Sequence, residues 1–252
     1  MLVAERYDKI VQLVNERGSI RVTELSELCS VTEETIRRDL DRLEQAGKLK
    51  RSHGGAVSVK EGQTEIPFFE REVTRSDEKK QIAAEAVKLI QPNDRILLDA
   101  STTAWYIARI MPDIPVTVLT NSVKVVTELS AKDKIEVIAT GGRLSPRSLS
   151  FVGPLAEKCL EGYHVDKMFF SCKGVHLERG ISESGELQAR LKQQMMGVAD
   201  QIVLLADSSK FGVQAFTQVT DLSRIDKIIS DSSLDSEIYE ALLTAGLTVT
   251  LA

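Results

Sequence analysis

The chain has 252 residues, of which 42% are hydrophobic and 27% charged, an ordinary balance for a soluble globular protein of one large domain or of a small one plus a medium one. No run of about 18 apolar residues is present to span a membrane, and the opening MLVAERYDKI has no apolar signal core, so a cytoplasmic location is expected. Cys29, Cys159 and Cys172 are odd in number and far apart, and neither they nor His53, His164 and His176 show ligand spacing, so no disulfide framework, metal site or cofactor is expected.

The net charge of -5 argues against nucleic acid as a partner until its distribution is considered. Residues 1–60 hold 11 Lys+Arg against 10 Asp+Glu, while the remainder holds 21 against 27. The basic residues of the first segment also cluster, as Arg37, Arg38 and Arg42 and then Lys48, Lys50 and Arg51. A global negative charge weakens indiscriminate binding to nucleic acid and leaves recognition to that local patch.

Residues 4–17 predict a helix with Tyr7, Ile10, Val11 and Val14 on one face, ended by Gly18. Ser19–Arg21 reads as extended. Thr23 is expected to cap a short helix, Glu24–Cys29, that buries Leu25 and Leu28, and Ser30-Val31 makes the turn. Thr32 suits the N-cap of a third helix, whose first turn carries Glu33 and Glu34. There Ile36, Leu40 and Leu43 form the buried stripe, and the opposite side presents Glu34, Thr35, Arg37, Arg38, Asp41 and Arg42. Such a face offers donors to phosphates and base edges without a large exposed apolar group. Gly47 closes that helix. Lys48–Arg51 and Ala56–Val59 then predict two strands around Ser52-His53-Gly54-Gly55, a hairpin wing with Arg51 and His53 at its tip. Surface arginines on small helical segments are common. The paired helices, the capped arginine-bearing helix and the basic hairpin together point to double-stranded DNA.

These features bound three segments: a winged helix-turn-helix domain at 1–59, a polar linker at 60–77, and an α/β domain at 78–252. Within the linker, Phe68 and Phe69 are expected to dock on one of the domains. Beyond it, apolar strands alternate with helices: Arg95–Leu98, Val116–Leu119, Glu136–Ala139, Met168–Ser171, Ile202–Ala206, Lys227–Ser230 and Leu247–Leu251. That alternation predicts a mostly parallel sheet covered on both faces. Such sheets bind ligands beyond the carboxyl ends of their strands, where five polar clusters stand. They are Asp99-Ala100-Ser101-Thr102-Thr103, Thr120-Asn121-Ser122, Gly141-Gly142, Lys173-Gly174 and Asp207 to Gly212 with Lys210. Any one of them reads as capping or turn chemistry. Five at corresponding ends favour a small polar ligand, an anion held by hydroxyls, helix N-termini and lysines.

Thr32-Glu33-Glu34-Thr35-Ile36-Arg37-Arg38-Asp39-Leu40, with Leu43, Gly47 and Arg51 to Ala56, resembles the signature of the DeoR family of bacterial sugar-metabolism repressors. The resemblance runs on through Phe151-Val152-Gly153-Pro154 and Asp207-Ser208-Ser209-Lys210-Phe211 and covers nearly the whole chain. It implies that Thr35, Arg37 and Arg38 meet DNA, with Arg51 and His53 on the wing, and that the sensor is similar in fold to ribose-phosphate isomerases and answers a sugar phosphate. The family's loop Asp-Ala-Gly-Thr-Thr-Thr has Ser101 and Ala104 as its third and sixth residues here. Asp99 to Arg109 and Phe170-Ser171-Cys172 look like members that control fucose or rhamnose catabolism, which implies a 6-deoxyketose 1-phosphate effector. A rival reading is a sugar-phosphate isomerase with an appended DNA-binding domain. Its base would be Asp99, Glu183 or Glu186, but spacing assigns no matched acid. Glu183 is read instead as a carboxylate that recognises sugar hydroxyls. A ligand-free architectural DNA protein is the third reading, which the five clusters oppose. One winged helix reads few base pairs, so at least a homodimer is expected.

Overall fold

The computed structural model describes residues 3–17, 19–52, 54–58 and 65–252. Contacts divide the chain into two compact units, Met1–Thr64 and Glu65–Ala252.

In the first unit the order is α1 (Val3–Arg17), β1 (Ser19–Arg21), α2 (Val22–Cys29), α3 (Glu33–Gln45), β2 (Leu49–Ser52) and β3 (Gly55–Ser58), with an antiparallel sheet ordered β1-β3-β2. Ile10, Val14, Leu25, Ile36 and Leu40 are fully buried, so the helical stripes converge on one core. The start of α2 differs from the sequence expectation. Arg21, not Thr23, occupies the N-cap and makes no side-chain capping bond. The N–H of Val22 instead donates to the carbonyl of Gly54 in the hairpin turn, at 2.9 Å, so the wing satisfies a helix end that a side chain was expected to cap. Leu28 is only half-buried. Gly47 does end α3: at φ +67° it lets the N–H groups of Gly47 and Lys48 return to the carbonyls of Glu44 and Leu43. Gly55 sits where β3 passes closest to β1, and a Cβ there would strike the Ile20 carbonyl oxygen. Gly18, His53 and Val59, named above for the helix end and the wing, lie outside the described residues.

The second unit begins with α4 (Phe68–Val73) and α5 (Ser76–Val87). Residues 65–77, read from sequence as linker, therefore belong to this unit. Phe68 explains why: it is fully buried and meets Trp105 edge-on at 5.6 Å. Phe69 stays exposed, so one of the two aromatics docks.

There follow β4 (Arg95–Leu98), α6 (Thr102–Ile110), β5 (Val116–Thr120), α7 (Val123–Leu129), β6 (Ile135–Ala139), β7 (Arg143–Ser145), β8 (Ser150–Val152), α8 (Pro154–Leu160), β9 (Val165–Phe170), β10 (Gly174–His176), β11 (Gly180–Glu183), α9 (Glu186–Gly197), β12 (Ala199–Leu205), β13 (Thr217–Thr220), β14 (Lys227–Ser230), α10 (Ser236–Thr244) and β15 (Thr248–Leu251). The main sheet is ordered β15-β14-β12-β9-β4-β5-β6, every neighbouring pair parallel.

Its strands are apolar without interruption because both faces are covered. Leu97, Met168, Phe170 and Leu204 enter one core, and Ile96, Leu98, Phe169, Val203 and Leu205 the other. The β7–β8 hairpin and the small antiparallel sheet β10-β11-β13 were not expected from sequence.

Candidate DNA-reading helix and effector cavity

In the first unit, Thr32 caps α3 by accepting from the Thr35 N–H at 3.3 Å, and the two hydroxyls lie 2.9 Å apart. The buried side of α3 carries Ile36, Leu40 and Leu43. Arg37, Arg38 and Arg42 are exposed on the other side, as the periodicity required. Each has a polar partner: Arg37 with Glu33 at 2.7 Å, Arg38 with Glu34 at 3.4 Å, and Arg42 with the Tyr7 hydroxyl at 3.3 Å.

Arg51 does not reach toward the hairpin tip. Its guanidinium bonds Asp41 at 2.5 Å and its N–H donates to Glu44 at 2.7 Å, which ties β2 to α3. A contact absent from the sequence reading is Asp39. It is buried, and both its oxygens accept from Arg6, at 2.6 and 3.2 Å, so α3 is clamped to α1.

In the second unit a cavity of about 240 Å³ lies beyond the carboxyl ends of β4, β9 and β12. Ser101, Ser171, Lys173 and Lys210 line it from those strand ends, Glu183 and Lys192 from β11 and α9, and Arg71, Arg75 and Lys79 from α4 and α5. Its walls hold six cations, Arg71, Arg75, Lys79, Lys173, Lys192 and Lys210, against three carboxylates, Glu65, Glu183 and Asp207.

Asp99, just behind, accepts from the N–H groups of Ser101 and Ser171 at 3.0 and 3.2 Å and pairs with Lys192 at 3.2 Å. Lys192 also bonds Glu183 and donates to the Ser171 carbonyl at 2.5 Å. Burial opposes the charge of Lys192, but Glu183 and Asp99 overcome it and hold the ammonium above the ordinary lysine range. Lys210 donates to the Ser171 hydroxyl at 2.5 Å. Burial likewise opposes the charge of Asp207, which Lys210 and the Ser209 hydroxyl reverse, keeping its carboxyl below the usual range. Glu65 is pushed up by burial. Cys172 is pushed up to about 12 for the same reason, which leaves an unreactive thiol.

The proposed effector residues divide between this cavity and the scaffold around it. Ser101, Lys173, Glu183 and Lys210 line the cavity. Ser101 also caps α6, accepting from the Ala104 N–H at 3.1 Å. Thr102 and Thr103 are buried in the first turn of that helix. Thr120 bonds the Leu98 carbonyl, Asn121 bonds the Phe151 carbonyl, and Ser122 caps α7. Gly141 and Gly142 take positive φ in the turn between β6 and β7. Gly174 lies where β10 passes the Val213 carbonyl, leaving no room for a side chain.

The sequence reading passed over Arg71, Arg75, Lys79, Gln188 and Lys192. A helical wheel offers one signal for the last two. Gln188 and Lys192 are one turn apart on the face of α9 that otherwise buries Leu191, Met195 and Met196.

A capped arginine-bearing helix beside a hairpin, followed by an α/β unit with a cation-rich cavity, defines a DNA-binding transcription regulator with a sensor domain. Residues 6–62 match the DeoR-like helix-turn-helix domain, and residues 74–232 match the DeoR C terminal sensor domain. The chain is 56% identical to the uncharacterized HTH-type transcriptional regulator YulB of Bacillus subtilis, over 99% of this chain and 97% of that one. It is 43% identical to the L-fucose operon activator of Haemophilus influenzae, over 93% and 94%. Identity to the putative aga operon transcriptional repressor of Escherichia coli O157:H7 is 38%, over 98% and 93%. The chain belongs to the DeoR family. These relatives are regulators, not enzymes. Ribose 5-phosphate isomerase A of Methanocaldococcus jannaschii aligns with a TM-score of 0.41 and 20% identity, over 54% of this chain and 55% of that one. At that distance the functional reading rests on the site itself. Among the described residues no helix is long and apolar enough to cross a membrane.

Proposed function

We propose that this regulator binds the operator of a sugar-catabolic operon as a repressor and leaves it when a sugar phosphate fills the cavity of the second unit. The cationic wall of that cavity, Arg71, Arg75, Lys79, Lys173, Lys192 and Lys210, which still outnumbers Glu65, Glu183 and Asp207 together with Asp99 behind Lys192 and Glu78 beside Arg75, carries the reading. A phosphate dianion supplies the missing negative charge, and charge-assisted hydrogen bonds from lysine and arginine hold it. Glu183, Gln188 and Ser101 line the same space and suit the hydroxyls of a sugar. The effector is then a 6-deoxyketose 1-phosphate, in keeping with the printed name of the Haemophilus influenzae relative.

On the DNA side, Thr32, Glu34, Thr35, Arg37, Arg38 and Arg42 present α3 to the major groove of duplex DNA, with Arg51 held against α3 by Asp41 and Glu44. At least a homodimer reads two half-sites. Effector binding shifts the balance because it favours one arrangement of the DNA-reading units over the other.

The test is a panel of sugar phosphates and their parent sugars, scored by release of the DNA upstream of the protein's own gene. Release by a phosphorylated ketose is expected. Release by the parent sugar alone, or by no member of the panel, overturns the proposal.

A further inference from the structure

We infer that Arg75 and Lys79, on the first segment of the second unit, grip the effector's anionic group against Lys210, so that this segment is part of the effector site. The inference rests on the anion-binding reading above and assigns its regulation to particular side chains.

The backbone gives the first argument. Arg75 is the N-cap of α5 and adopts φ 49° and ψ 46°, left-handed, with no side-chain capping bond. That conformation is unfavourable for any residue with a Cβ, and glycine takes it freely. What arginine adds is its guanidinium, which lines the cavity 3.9 Å from an oxygen of Asp207 and 3.3 Å from Glu78. Non-glycine residues held in this region collect at ligand sites.

Lys79 gives the second argument. It is 5% exposed, yet both its hydrogen bonds go to backbone carbonyls, those of Arg71 and Thr74 at 2.5 and 2.6 Å. Burial and the neighbouring Lys210 lower its pKa to about 8, with Asp207 and Glu78 opposing and Arg71 adding to the fall. A buried ammonium this poorly matched is costly unless a counter-charge arrives. Arg75 and Lys210 each stand 3.9 Å from an oxygen of Asp207, and Lys79 is near enough to feel both Lys210 and Asp207. A phosphate group offers two charges and three acceptor oxygens.

The consequence is mechanical. Lys79 already pins the last turn of α4 to α5 through the Arg71 and Thr74 carbonyls. An anion held by Arg75 and Lys79 on one side and Lys210 on the other fastens both helices to the strand ends. These helices are the first elements after the DNA-reading unit along the chain.

The experiment titrates the full chain, as wild type, Arg75→Gly and Arg75→Lys, with inorganic phosphate. Thermal unfolding is followed by the fluorescence of Trp105, the single tryptophan, and amide hydrogen exchange is measured across residues 68–87. Without phosphate, Arg75→Gly is expected to unfold no earlier than wild type, because glycine relieves the left-handed backbone. Its phosphate Kd is expected to rise about tenfold, in line with loss of one charge-assisted bond, while Arg75→Lys keeps most of the affinity. Phosphate is expected to slow exchange over 68–87 in wild type and not in Arg75→Gly. Equal phosphate affinity in wild type and Arg75→Gly overturns the inference while leaving the anion-binding reading intact. Stabilisation of neither protein by phosphate overturns that reading first and the inference with it.

Discussion

Replacing Lys192 by Met tests whether the cavity is built around a buried charge triad. Lys192 is 8% exposed and is paired with Asp99, 1% exposed, and Glu183, 14% exposed. Methionine fills much the same volume, so the loss is electrostatic: Asp99 and Glu183 both lose the cation they share. Removing one partner of a buried pair costs about 3–5 kcal/mol. For a unit of this size each kcal/mol moves the midpoint by about 2–4 °C, so Trp105 should report a fall of about 6–20 °C at pH 7. The sign with pH follows from the direction of the shift. The pKa of Lys192 is raised, so its contribution is complete at neutral pH and fades only as pH rises beyond the ordinary lysine range. Adding Glu183→Gln should recover part of the loss by removing one of the two carboxylates. A midpoint within about 3 °C of wild type at pH 7 would refute the triad.

Arg38, 74% exposed, pairs with Glu34 on the surface. Arg38→Ala should leave the unfolding midpoint unchanged, lower operator affinity about tenfold and reduce the salt slope by about one, measured by anisotropy on labelled DNA. The pKa of Lys79 is lowered to about 8, so the ammonium is present below that pH and lost above it. A sugar phosphate is already dianionic there, its second pKa being about 6, so its Kd should rise as pH passes about 8. Calorimetry should show proton uptake on binding, and Lys79→Gln should flatten the profile. Gly55→Ala drives a methyl into the Ile20 carbonyl and should cost the first unit about 1–3 kcal/mol. Operator binding should weaken while the Trp105 transition, which belongs to the second unit, stays in place.

The main sheet was legible because buried parallel strands are apolar on both sides. Arg95–Leu98 and Lys227–Ser230 match the observed strands residue for residue. The β10-β11-β13 sheet was not legible, since Gly174–His176, Gly180–Glu183 and Thr217–Thr220 mix polar with apolar residues and make no apolar run to separate them from loop. On α3, one amphipathic period fixed both the buried stripe and the exposed arginines, and only the inward turn of Asp39 toward Arg6 escaped it. The cavity was harder to read. Hydroxyls that cap helices and hydroxyls that bind sugars are the same residues in sequence, so Ser101 and Ser122 looked alike. One lines the cavity while both cap helices. Arg71 and Arg75 stand in the polar stretch read as linker and Lys79 just beyond it, and only the burial of Phe68 against Trp105 brings them to the strand ends.

The partners of the α3 arginines bear on how the protein searches a genome. Four acidic residues of the helix stand beside its three arginines, the fifth, Asp39, being turned inward to Arg6, so under the proposed reading a random stretch of backbone phosphate meets little net attraction from it. Glu33 and Glu34 can release Arg37 and Arg38 cheaply, because exposed ion pairs are worth about 0–1 kcal/mol. The freed carboxylates are then pressed toward a polyanion, a penalty that recurs at every incorrect site. Under the proposed reading, only a sequence whose base edges reward the guanidinium groups offsets it, and the acidic residues would then act as a filter that shortens residence on bulk DNA.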